Sequence, residues 1–216
     1  MQSPPASVGI GRILKVLRRV FGRLKGHPKA KALVPKLQVP HSALKKANVA
    51  LTDADDVCQD TGGAVDVCDV LGRETLTDFQ IALVGVVRRD YKSPEYLAFF
   101  ADGFETIKRK SGAELQVALK GIADHILTLA KDSPLQVHVK PLVAASDAFV
   151  APLKADGIAK AALDQADKNL AAARALWLLA YDGLYGDVRS MFPKRKAFVE
   201  SFFPEWSKKA EKGEQK

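Results

Sequence analysis

The feature that most constrains the fold is a row of small and apolar residues that never slips register. Leu44, Ala47, Leu51, Ala54, Cys58, Thr61, Val65, Cys68 and Gly72 follow one another at alternating spacings of three and four. That period puts all nine on one side of an α-helix. A stripe of this kind is stable only when other helices cover it. The row passes through Gly62-Gly63 unbroken, which predicts one continuous helix even though each glycine costs about 1 kcal/mol relative to alanine. A second long row comes after Asp156: Leu163, Ala166, Leu170, Ala173, Trp177, Ala180, Leu184, Val188 and Met191. Trp177 sits between Ala173 and Ala180, where small neighbours leave room for an indole in a middle layer.

The segments between these rows are helical as well. Residues 77–91 carry Phe79, Ala82, Leu83, Val86 and Val87 at helical spacing. Ser93-Pro94-Glu95 is a start signal, an N-cap serine followed by proline at the first helical position. Gly112 marks a break, and Leu115, Leu119, Ile122 and Ile126 form the next stripe. Ser133-Pro134 repeats the start signal, and Pro141 and Pro152 interrupt the helical stretch behind it. No hairpin turn, alternating strand or fixed-period repeat occurs. These patterns predict an all-α protein, an antiparallel helical bundle with long helices. The expected organisation is a basic amphipathic arm and proline-rich linker over 1–41, the bundle over 42–204, and a charged disordered tail over 205–216.

Charge is unevenly spread. The 216 residues carry a net +8, yet residues 1–52 hold eleven Lys and Arg and no Asp or Glu. The other 164 residues are close to neutral, with 22 basic and 25 acidic groups. Within the arm, Ile10, Ile13, Leu14, Leu17 and Phe21 recur on one helical face as an apolar anchor. Arg12, Lys15, Arg18, Arg19, Arg23 and Lys25 fill the other faces. Such a helix suits an anionic membrane surface or an acidic groove on a partner protein. Packing of the apolar face on the chain's own body is the plainer reading. Residues 27–40 contain Pro28, Pro35 and Pro40 and read as an extended linker. In composition, residues 9–26 also match an organellar transit peptide, but interspersed cations exclude a secretory signal.

Nucleic acid is the alternative partner for the arm, since its cations could neutralise several phosphates. The strong apolar face and the single aromatic, Phe21, argue against it. A second candidate surface is the aromatic cluster of Phe198, Phe202, Phe203 and Trp206, because aromatics anchor interfaces. They also close the ends of bundles.

Catalytic equipment is missing from the motifs. The four histidines lie in no zinc or haem context, no Glu-x-x-His occurs, and no phosphate loop or nucleophile elbow is present. Asp53, Asp55, Asp56 and Asp60 fail the EF-hand pattern, because Val57 and Cys58 occupy its fifth and sixth positions. With Asp66 and Asp69 they read as a solvated helix face. Cys58 and Cys68 are too far apart on one helix to form a disulfide. Mean hydropathy is −0.07, and no apolar run is long enough to span a bilayer. The sequence therefore predicts a non-catalytic subunit or adaptor of a larger assembly, intracellular in cytoplasm or organelle matrix or peripheral on a membrane. It implies no cofactor, no metal and no small-molecule substrate. An enzyme assembled from scattered residues such as Asp78, Arg88, Arg89, Asp90 and Tyr91 is the rival reading.

Overall fold

The computed structural model describes residues 8–203, and every regular element among them is helical. In order these are α1 (Ile10–Gly26), a 3-10 turn at Lys31–Leu33, α2 (Val34–Val86), α3 (Pro94–Phe99), α4 (Phe104–Lys108) and α5 (Gly112–Leu127). A second 3-10 turn at Pro134–His138 leads to α6 (Val139–Ala148), α7 (Val150–Met191) and α8 (Lys196–Glu200). The fold is an all-α bundle built on two long helices, α2 with 53 residues and α7 with 42. The heptad row from Leu44 to Gly72 lies within α2, which passes Gly62-Gly63 without a break and runs on through residues 77–86.

The chain divides into two compact units. A terminal unit takes the residues up to Ala54 and those from Asp164 onward, and a central unit takes Asp55–Leu163. Both long helices contribute to both units. This differs from the arm, linker and bundle expected from the sequence. Residues 34–40 are helical, and the expected boundary at 41–42 falls inside α2. The prolines explain the difference by position. Pro28 sits in the turn after α1, and Pro35 sits in the first turn of α2, where the missing N–H has no intrahelical partner to lose. Only Pro40 lies in the helix interior, and fully buried Leu37 and Leu44 on either side of it hold the helix together. The tail over 205–216 lies outside the described residues.

In the terminal unit, Ile13, Leu17, Val20 and Leu24 of α1 are completely buried with Leu37 and Leu44 of α2 and Trp177, Tyr181, Leu184 and Val188 of α7. Trp177 and Tyr181 stack with centroids 5.0 Å apart. Lys36 of α2 pairs with Asp187 of α7 at 2.8 Å. Arg23 donates to the Ser201 carbonyl, and Arg174 donates to the Val8 carbonyl at 3.0 Å.

The central unit has its own core. Leu76, Phe79 and Leu83 of α2 meet Phe99 and Phe100, Leu115, Leu119 and Ile126 of α5, and Phe149. Ser93 caps α3 by accepting from the Tyr96 amide at 3.1 Å, as its sequence signal predicts. α7 begins at Val150, earlier than Asp156, because Pro152 is accommodated in its first turn. Asp156 is instead a buried residue inside that helix. Among the acids read as a solvated face, Asp53, Asp55, Asp56, Asp60 and Asp66 are exposed, but Asp69 is 6% exposed and belongs to the interior. Cys58 and Cys68 are free and half-buried.

Candidate functional site

The residues expected to dock the protein all lie on α1 of the terminal unit. Lys15, Arg18, Arg19, Arg23 and Lys25 are exposed, and Arg12 is half-buried. None of these cations forms an ion pair with a carboxylate among the described residues. The charge asymmetry of the sequence carries over to the two units. The described part of the terminal unit holds 17 Lys and Arg against six Asp and Glu, whereas the central unit holds 12 against 16.

The apolar anchor is placed differently from the docking expectation. Ile13 and Leu17 are fully buried in the terminal unit's own core, and Ile10, Leu14 and Phe21 pack against it half-buried. The apolar face of α1 is thus largely taken up by self-packing, with Ile10, Leu14 and Phe21 keeping only part of their surface open. The reason is the mixed seam that α2 and α7 present. Leu37, Leu44, Trp177 and Leu184 form an apolar surface that the α1 stripe covers.

The aromatic partner patch is likewise mostly interior. Phe202 and Phe203 are 4% and 5% exposed. Phe203 meets Tyr181 edge-on at 5.5 Å. His27 is ringed by Phe192, Phe198 and Phe202 at centroid distances of 4.9, 5.7 and 6.0 Å. Among the described residues of this patch, only Phe198 keeps a partly open face, at 37% exposure. Trp206 lies outside the described residues.

One group near the cations escaped the sequence reading. His41 of α2 is half-buried, and its ring meets Phe21 of α1 edge-on at 5.4 Å. Burial, then the charges of Lys45 and Arg18, hold its imidazole below the ordinary histidine range. Lys45 lies one helical turn beyond His41, and Arg18 lies one turn before Phe21. The i, i+4 spacing of His41 and Lys45 was visible in the sequence, but their pairing with Arg18 needs α1 folded back onto α2.

The residues of the rival enzyme reading do not converge. Asp78 borders a shallow groove with Val70, Arg73, Glu74, Thr77 and Lys108, to which Arg88, Arg89, Asp90 and Tyr91 do not contribute. Those four are exposed in the turn after α2, where Arg88 and Arg89 adopt φ of 51° and 65°. His125 lines a mostly apolar cleft of about 280 Å³ in the central unit, and its ring packs against Phe99 at 4.6 Å. No group of three His, Cys, Asp or Glu among the described residues is placed to hold a metal ion. No helix among them is long and apolar enough to cross a membrane. Compared with protein-family models, curated proteins and solved structures, the chain matches none.

Proposed function

We propose that the protein is a non-catalytic adaptor that attaches a larger assembly to an anionic membrane surface, through charge on the terminal unit. The observation that supports this is the division of labour on α1. Its apolar side is largely taken up inside the unit, while its solvent side presents Lys15, Arg18, Arg19 and Lys25 with no carboxylate paired to them. Docking is therefore peripheral and electrostatic, without the apolar insertion that a free amphipathic helix would bring. Each cation near an anionic bilayer contributes about 1 kcal/mol, and salt screens all of them. The central unit, with its slight excess of acids, is left to meet protein partners.

The test is co-sedimentation with phosphatidylglycerol-containing vesicles and with neutral vesicles at low and high salt. Binding is expected only to the anionic vesicles and only at low salt. Lys15→Glu, Arg18→Glu and Arg19→Glu together weaken it by on the order of a hundredfold or more. All three side chains are exposed, so helicity stays unchanged. Equal binding by the triple variant and the parent would overturn the reading.

A second reading gains from one observation. The strong apolar face argued against nucleic acid, and that face is now accounted for inside the fold. Duplex phosphates would be recognised by the same cations, with a steep salt slope. Preferential capture by duplex DNA over vesicles in the same assay would replace the membrane reading.

A further inference from the structure

We infer that Arg18, His41 and Lys45 form a subsite for a phosphate-class anion at the contact between α1 and α2. The inference rests on the docking reading above and locates the centre of that surface.

Three potential donors lie within one helical turn of a single contact between two helices. The Phe21–His41 ring contact fixes α1 against α2 at this level. Arg18 lies one turn earlier on α1, and Lys45 one turn later on α2. Arg18 supplies a planar fork that matches two oxygens of a tetrahedral oxyanion, and Lys45 supplies a mobile point charge. His41 supplies an N–H. Its Nδ1 is buried with no hydrogen-bond partner, so Nε2 is the ring nitrogen left to meet solvent or a ligand.

The cluster also lacks a counter-charge. The charges acting on His41 are Lys45 from α2 and Arg18 from α1, with no carboxylate among them. Neither cation is ion-paired among the described residues. Like charges gathered around a half-buried ring are unfavourable in the free protein and become favourable once an oxyanion sits between them. A lipid headgroup phosphate and free phosphate present the same chemistry, and the experiment separates them.

In the 216-residue chain, the imidazole C–H resonances of all four histidines are followed through a pH series, with and without inorganic phosphate at constant ionic strength. His41 is expected to titrate below the usual histidine range, and phosphate is expected to move its midpoint upward. The resonances of His125 and His138, in the central unit, serve as internal controls. Arg18→Gln and Lys45→Gln, both at exposed positions, each raise the His41 midpoint without phosphate. Each also weakens phosphate binding by on the order of tenfold, the loss of one charge-assisted hydrogen bond. Phosphate that leaves His41 unmoved, or shifts all four histidines alike, overturns the subsite. The same titration is repeated with phosphatidylglycerol vesicles. Vesicle binding with no response at His41 removes the subsite and keeps the docking reading. A response to phosphate without vesicle binding keeps the subsite and removes the membrane.

Discussion

The Asp69 carboxylate accepts a hydrogen bond from the Gly112 amide at 2.7 Å, across 43 positions of sequence. Its other oxygen accepts from Arg73 at 3.3 Å, and Arg73 in turn donates to the Lys108 and Lys110 carbonyls at 3.1 and 3.0 Å. One buried acid and one half-buried base thus tie the end of α4 and the start of α5 to α2. Removing the acid strands the Gly112 amide in a part-buried setting. Asp69→Ala is expected to destabilise the central unit by about 1 to 3 kcal/mol. A matching loss from Asp66→Ala, at an exposed position three residues earlier, would show that the network contributes nothing.

Glycines on α2 should divide into two classes. A Cβ at Gly72 would stand 3.1 Å from Leu119, 3.2 Å from Phe149 and 3.3 Å from Leu115, tighter than ordinary packing. Gly72→Val is expected to cost about 1 to 3 kcal/mol through overpacking. At Gly62 and Gly63 nothing lies within 4 Å of an added Cβ. Alanine at either position should stabilise by about 0.5 to 1 kcal/mol. Denaturant midpoints of the three single variants decide the matter, and a loss at Gly62 would show that its openness serves something else.

The contrast between these glycines shows what the sequence could and could not reveal. Spacing alone located both long helices and Trp177's interior place, because burial periodicity is written in the chain. Asp69 shares its spacing with the exposed acids around it, so nothing local marks it as buried. Its partner, the Gly112 amide, becomes available only because α5 begins there with φ of 53°. The same limit applies to α1. An amphipathic stripe declares that something covers it, and only the seam between α2 and α7 shows that the cover is internal. The exposure of Lys15, Arg18 and Arg19 was legible from the helical wheel, but the His41 cluster depended on that docking.

Trp177 is fully enclosed, and its ring stacks on Tyr181 with planes 28° apart. Trp177→Ala is expected to cost about 3 to 5 kcal/mol. Its Nε1 is buried with no hydrogen-bond partner, so the indole carries an unsatisfied donor. Trp177→Phe deletes that donor while keeping a ring against Tyr181, and should cost clearly less than the alanine change. Equal losses in urea melts would mean that indole volume alone sets the energy.

Acid should loosen the terminal unit through His41. Burial, with Lys45 and Arg18, holds the folded-state pKa of this histidine below the unfolded value of about 6.5. Between those two values the unfolded chain binds more protons, so stability rises with pH in that window. The contribution is complete above about pH 6.5 and is lost as pH falls through the lowered value. His41→Gln should flatten this part of the stability profile. A profile with the same slope in the variant would assign the acid sensitivity to other groups.

Truncation distinguishes a detachable arm from a structural helix. An arm joined by an extended linker could be removed with the remaining chain still folded. α1 instead places Ile13, Leu17, Val20 and Leu24, all fully buried, between α2 and α7. Burying one such side chain is worth about 1.5 to 3 kcal/mol. Four of them amount to much of the roughly 5 to 15 kcal/mol that holds a domain together. Deleting residues 1–26 is therefore expected to unfold the terminal unit, exposing Trp177 and red-shifting its fluorescence. Ile13→Asp with Leu17→Asp should do the same, because each change forces a carboxylate into an apolar core. The charge reversals at Lys15, Arg18 and Arg19 should leave Trp177 buried and affect only docking. A truncated protein that keeps full helicity per residue and an unshifted Trp177 emission would restore the detachable arm.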